Sequence, residues 1–181
     1  MINTTLIVAT PDERYADFED ALKTQCAKNT HNDVHIIFLR SLNINFCTGC
    51  WDCWVKTPGL CPIKDDMPLI LSEIMKSDKV IFVSPVSMDF IPALLKKTCD
   101  RLIPLVHPYI EIYKNEFHHR NRYPSYPTIG LILIDPEKDN DRFEVIRDVF
   151  ARLSINLKTK FPPALMISPN YEECEYAIFN D

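Results

Sequence analysis

Five short apolar runs separated by segments of helical periodicity constrain this chain more than any other feature. The runs are Leu6-Ile7-Val8-Ala9, Val34-His35-Ile36-Ile37-Phe38-Leu39, Lys79-Val80-Ile81-Phe82-Val83, Ile129-Gly130-Leu131-Ile132-Leu133-Ile134 and Ala164-Leu165-Met166-Ile167. Both faces of each run are apolar, which predicts strands covered on both sides, as in a parallel sheet. Between them, Tyr15, Phe18, Leu22 and Cys26 share one helical face behind Asp12 as N-cap, and Phe143, Ile146, Phe150 and Leu153 share another behind Asn140 or Asp141. Asp66-Met67-Pro68 opens a shorter helix over 66–76, with proline in the first turn where it is tolerated. Over 90–106, Leu94, Leu95, Thr98, Leu102 and Leu105 face the sheet, while Lys96, Lys97, Asp100 and Arg101 face water.

This alternation predicts a three-layer α/β fold, a single flavodoxin-like domain over residues 1–181 with a five-stranded parallel sheet in the order 2-1-3-4-5. A cysteine-rich loop at 46–65 and a long connection at 107–126 interrupt it. Ligands of such sheets sit beyond the carboxyl ends of the strands, where the strand order reverses. The loops after the first, third and fourth strands therefore carry the ligand, and the cysteine loop follows the second strand beside them.

The 181 residues suit one domain with a sizeable core. A 46% apolar and 25% charged composition excludes a disordered or membrane chain. The net charge of -5, without any block of like charge, predicts no nucleic-acid partner. The first residues lack a basic start and a cleavage pattern, so the expected location is cytoplasmic. In a reducing compartment, clustered thiols mark a metal, cluster or redox site rather than a disulfide staple.

Cys47, Cys50, Cys53 and Cys61 follow the spacing C-x2-C-x2-C-x7-C. Three thiols at this pitch come round one turn and a fourth reaches back, which suits a cubane iron-sulfur cluster with one cysteine per iron. Zinc also accepts four thiolates, though structural zinc sites more often use two separated C-x2-C pairs. A metal-free structural or redox loop is the third reading. Two of the chain's three glycines, Gly49 and Gly59, lie inside this loop. Trp51 and Trp54 either cover a redox group or anchor the loop, and the anchor role is favoured.

The stretch "CTGCWDCWVKTPGLCPIKDD", followed by "VIFVSPVSMDFIPALLKKTCDRLIPL" and "HPYIEIYKNEFHHRNRYPSYPTIGLIL", resembles the flavodoxin-fold NAD(P)H-dependent FMN reductases, in the branch related to iron-sulfur flavoproteins. The resemblance covers roughly residues 45 to 135. It implies FMN held by the loops after the first and third strands, NAD(P)H as electron donor, and a small-molecule acceptor. Mapped onto this sequence, the cofactor-binding residues are Thr10 and Arg14 in the first loop, and Ser84, Pro85, Val86, Ser87 and Met88 in the second. No side chain is required as a nucleophile, because the cofactor carries the chemistry.

The first loop, "TPDER", departs from the pattern. It has no glycine to let a phosphate approach the backbone, and Asp12 and Glu13 repel one. In "SPVSMDF" an aromatic expected near position 87 is absent. The alternative reading is accordingly a flavodoxin-like domain without FMN, acting as a cluster-, zinc- or partner-binding module.

His118, His119, Arg120 and Arg122 form the only concentrated basic patch. They serve either a nicotinamide phosphate, an anionic substrate or proton supply, or, as favoured, a solvated loop or subunit contact. Asp65 and Asp66 read as a helix start, Cys26 and Cys99 as core, and Cys174 stays unassigned. Only a short tail follows Ile167, too short for a full final helix. Apolar sheet surface left open by it predicts a homodimer.

Overall fold

The computed structural model describes residues 2–29, 32–162, 164–169 and 178. Five parallel strands, β1 (Asn3–Val8), β2 (Asp33–Phe38), β3 (Lys79–Pro85), β6 (Thr128–Ile134) and β7 (Leu165–Ile167), form one sheet in the order β2-β1-β3-β6-β7. This is the expected order once two further strands, β4 (Val106–Tyr113) and β5 (Glu116–Asn121), are set aside. Those two pair with each other as a separate antiparallel hairpin.

The strand faces sort the core into two layers. Ile7, Val80, Phe82, Leu131 and Leu133 pack toward α3 (Met67–Lys76), α4 (Ala93–Asp100) and α5 (Asn140–Asn156). Leu6, Val8, Ile81, Val83, Ile132 and Ile134 pack toward α1 (Ala16–Lys28), through Phe18, Leu22 and Cys26, with Ile178 beside them. Burial on both sides explains the continuous apolar runs. None of the described helices is long and apolar enough to cross a membrane. The expectations about Cys174 and a short final helix fall outside the described residues.

Three local features differ from the sequence reading. The cap of α5 is Asp139, one residue earlier than expected, accepting from the N–H groups of Asp141 at 2.9 Å and Arg142 at 3.1 Å. The connection at 107–126 is largely the β4–β5 hairpin, closed by Lys114 and Asn115, both at positive φ. Its inner face is fastened to the end of α5. His118 Nδ1 lies 2.8 Å from Asn156 Oδ1, Arg152 pairs with Glu116 at 2.6 Å, and Lys158 holds Glu111 and the His119 carbonyl.

The third difference is Arg101. Placed on the solvent side by helical phase, it is 2% exposed and forms an ion pair with Asp65, itself without side-chain exposure. The helix breaks after Asp100 into a turn and a short 3-10 segment, Ile103–Leu105, so the phase used to orient Arg101 no longer applies.

Candidate functional site

The cysteine loop is built by short-range bonds. Gly49 (φ +65°) and Trp51 (φ +64°) take left-handed conformations that turn the chain into α2 (Asp52–Val55), a single helical turn. The carbonyl of Asp52 accepts from Lys56 N at 2.9 Å and Thr57 N at 2.8 Å. Gly59 (φ +86°) returns the chain, its N–H donating to the Cys53 carbonyl at 2.9 Å. The Thr57 hydroxyl closes the seven-residue spacer on the Leu60 carbonyl at 2.8 Å, which carries Cys61 back toward Cys53.

All four cysteines consequently line one apolar cavity of about 160 Å³, together with Trp51, Trp54, Ile63 and Ile103. Cys47 and Cys50 are exposed, Cys61 is half-buried and Cys53 is buried. Burial, and then the neighbouring thiols of Cys61, Cys47 and Cys50, push the Cys53 thiol up from its ordinary value. Within the loop, iodoacetamide at pH 8 should therefore modify Cys47 and Cys50 first and Cys53 last, as peptide mapping over time would show. Among the described residues, no group of three or more His, Cys, Asp or Glu side chains is arranged to hold a metal ion.

Trp54 fastens this loop to the body. Its Nε1 donates to the carbonyls of Val106 at 3.0 Å and Ile103 at 3.2 Å, and its ring meets Trp51 edge-on at 5.1 Å and His119 at 4.9 Å. Trp51 is 62% exposed. Anchoring thus belongs to Trp54, and Trp51 forms the outer wall of the cavity.

Asp65 does more than start a helix. It accepts from the backbone of Asn45 at 2.9 Å and of Met67 at 3.1 Å while pairing with Arg101. Burial alone would raise its carboxyl, but the Arg101 guanidinium and the two N–H groups bring it down to about 2. Arg101 also donates to the Asn45 carbonyl at 3.1 Å, joining α4 to both ends of the cysteine loop.

The two candidate flavin loops open side by side, since Ala9 N–H donates to the Val83 carbonyl at 2.8 Å. In the first, Thr10 is fully buried and its hydroxyl donates to Glu19. Arg14 is exposed and folds back on Asp12, with Nε and Nη2 at 2.9 and 2.8 Å from the carboxylate. In the second, Ser84 and Pro85 are buried, and the Ser84 hydroxyl donates to the Pro85 carbonyl at 3.0 Å. Val86 N–H donates to the Ile134 carbonyl at 3.1 Å. Ser87 and Phe90 then exchange two backbone bonds around Met88 and Asp89, both at positive φ, so that Met88 stands 97% exposed.

The basic patch divides among structural tasks. His118 is buried in the hairpin contact and His119 packs at a tilt against the Trp54 ring. Arg122 donates to the carbonyls of Pro104 at 2.9 Å and Val106 at 3.2 Å, while Arg120 lies 3.5 Å from Glu111. The patch is a set of fastenings, not a solvated loop. Sequence reasoning misses the roles of Glu19, Arg40 and Arg101, whose ion-pair partners lie 21 to 36 residues away and leave no local signature.

Residues 13–122 match the family described as NADPH-dependent FMN reductase. An iron-sulfur flavoprotein of Archaeoglobus fulgidus is 36% identical over 80 residues, covering 44% of this chain and 36% of that protein. Another, of Methanocaldococcus jannaschii, is 35% identical over 103 residues, covering 57% and 46%. The matched stretch thus spans less than half the length of either relative. Among solved structures, an NAD(P)H:quinone oxidoreductase from Methanothermobacter marburgensis superposes with a TM-score of 0.67 over 98% of this chain and 92% of that one, at 13% identity. An azoreductase from Bacillus anthracis gives 0.57 at 14% identity, over 98% and 91%. At such identities the likeness is one of fold. With more than half of its residues inside the family match, this chain belongs to the NADPH-dependent FMN reductase family.

Proposed function

We propose that this protein is a flavin-dependent oxidoreductase that passes electrons from NAD(P)H to a small acceptor, with an iron-sulfur cluster as relay. The observation that carries the relay is the convergence of Cys47, Cys50, Cys53 and Cys61 on a single apolar cavity. Four thiols line one space, the number a cubane cluster takes at one cysteine per iron. As they stand no three of them are arranged to hold a metal ion, so a cluster would have to draw them together. The relatives named iron-sulfur flavoproteins support the same reading. When bound, a flavin accepts a hydride and a cluster passes single electrons. Trp51, Trp54, Ile63 and Ile103 give the thiols an apolar wall on one side, the kind of surrounding that tunes a redox potential, while Cys47 and Cys50 stay open to water. Trp54 keeps the loop in place from the hairpin side, and Arg101 with Asp65 does so from α4.

FMN is the family's cofactor, yet the first loop does not fit its phosphate. Thr10 is engaged with Glu19, Arg14 with Asp12, and Arg40 with Glu13 and Glu19. This observation favours, as the second reading, a domain that has given up FMN and serves as a cluster- or partner-binding module. A homodimer suits either reading, and the outward face of the hairpin, with Ile110, Ile112 and Phe117 exposed, supports it.

Anaerobically purified protein should show a broad cluster absorption and should gain flavin bands on titration with FMN or riboflavin. Cys50→Ser should remove the cluster absorption and leave flavin uptake intact. Protein that is colourless and takes up neither flavin would end the oxidoreductase reading, and loss of flavin uptake alone in Cys50→Ser would make the loop structural. The sedimentation mass of the same sample reads the assembly, and a monomer would remove the dimer.

A further inference from the structure

In a doubly wound sheet, a ligand's phosphate is received where the first strand ends and the next helix begins, by hydroxyls, guanidinium groups and helix N–H donors. This chain has such donors. Thr10 lies two residues beyond β1, and Arg40, from the end of the neighbouring β2, reaches across to Glu19, the same carboxylate that Thr10 bonds. Both are already engaged. Glu19, in the first turn of α1, points back along the helix, as side chains do, and accepts from the Thr10 hydroxyl. Its two oxygens also take Arg40 Nε at 3.1 Å and Arg40 Nη2 at 2.6 Å. The Glu19 side chain is 2% exposed. One hydroxyl and a bidentate guanidinium are the contacts an incoming phosphate would seek.

The surroundings carry the same sign. Arg40 Nη1 is taken by Glu13 at 2.6 Å, and Arg14 is taken by Asp12. Two guanidinium groups are thus set against Asp12, Glu13 and Glu19 at this end of the sheet. Along the same edge, Asp135 follows β6 and, with Asp89, Glu137 and Asp139, surrounds Arg142. A dianion arriving here meets repulsion and has to displace a buried, paired carboxylate. A polyol meets acceptors for its hydroxyl protons.

We propose that Glu19 is a resident anion filling the phosphate seat, and that this chain in consequence takes its flavin without a 5′-phosphate. The inference rests on the flavin reading above, and its test separates the two. Two titrations are made on the wild type and on Glu19→Ala. The first compares FMN with riboflavin by quenching of flavin fluorescence, and the second follows Tm against inorganic phosphate.

The wild type should bind riboflavin at least as tightly as FMN and show no phosphate-dependent rise in Tm. Glu19→Ala should move the FMN-to-riboflavin affinity ratio toward FMN by about tenfold or more and acquire a saturable rise in Tm with phosphate. Wild type that prefers FMN by about tenfold, or phosphate that stabilises both proteins equally, overturns the proposal. If neither flavin binds either protein, the oxidoreductase reading fails, while the phosphate titration still decides the role of Glu19. Glu19→Ser, which also vacates the seat, replaces Glu19→Ala should the latter not fold, and a phosphate response of the same sign is then expected.

Discussion

Replacing Arg101 with methionine should cost about 3–5 kcal/mol of folding stability, the loss usual when one member of a buried ion pair is removed and the other charge stays inside. Asp65 is the charge left behind, with the N–H groups of Asn45 and Met67 and the Asn45 side-chain amide to offset its burial. Urea denaturation at pH 7 measures the loss, and the pH dependence identifies its source. In the wild type the Asp65 carboxyl is held down at about 2, so its contribution is present above the ordinary carboxylate range and is lost as pH falls toward 2. In Arg101→Met the folded-state carboxyl rises above its unfolded value, so lowering the pH from 7 toward 5 should stabilise the variant. A variant whose stability shows the wild-type slope would mean that the pair is not what holds Asp65 ionised. Replacing both residues by apolar ones should recover only part of the loss, because the two backbone N–H groups then lack an acceptor.

The same pair shows where sequence reading stops. The five strands are legible because a run such as Val80 to Val83 is apolar on both faces, and burial on two faces has few other causes. The cysteine cavity is legible because its spacing is local: the bends at Gly49 and Trp51 bring Cys47, Cys50 and Cys53 round, and one hydroxyl bond brings Cys61 back. The hairpin reads in the sequence only as a long connection. Its closing residues, Lys114 and Asn115, lack the glycine that usually marks a two-residue turn, and Met88 and Asp89 make a second tight turn without one. With three glycines in the chain, left-handed positions fall to residues that do not announce them.

Charge placement was the least legible. Helical phase assigned Arg101 to solvent, and only the break after Asp100, together with a carboxylate 36 residues earlier, reverses that. Glu19 sits between Phe18 and Asp20 in an ordinary first turn, where a carboxylate reads as dipole compensation. Its buried role depends on Arg40 at the end of another strand. The repulsive Asp12 and Glu13 were visible from the sequence, and the structure adds that the nearby cations are already paired.

The last expected result concerns Trp54, which distinguishes an anchored loop from a ring that covers a cofactor. Trp54→Ala removes a half-buried indole and its bonds to Ile103 and Val106, and should cost about 2–4 kcal/mol, somewhat below the figure for a fully buried aromatic. Trp54→Phe keeps most of the packing and should cost about 1 kcal/mol for the lost indole donor, since the Val106 carbonyl keeps Arg122 and the Ile103 carbonyl keeps the Val106 N–H. The loss should be local. Amide exchange should accelerate at Lys56, Thr57 and Gly59, whose N–H groups close the turn around Cys53, while protection in β1 and β3 stays unchanged. Cys53 should then react with iodoacetamide nearly as fast as Cys47, since the loop that buries it has come away from the hairpin. Unchanged exchange and a Cys53 that still reacts last would show that the loop stands without this tryptophan, and would return Trp54 to the role of a cover.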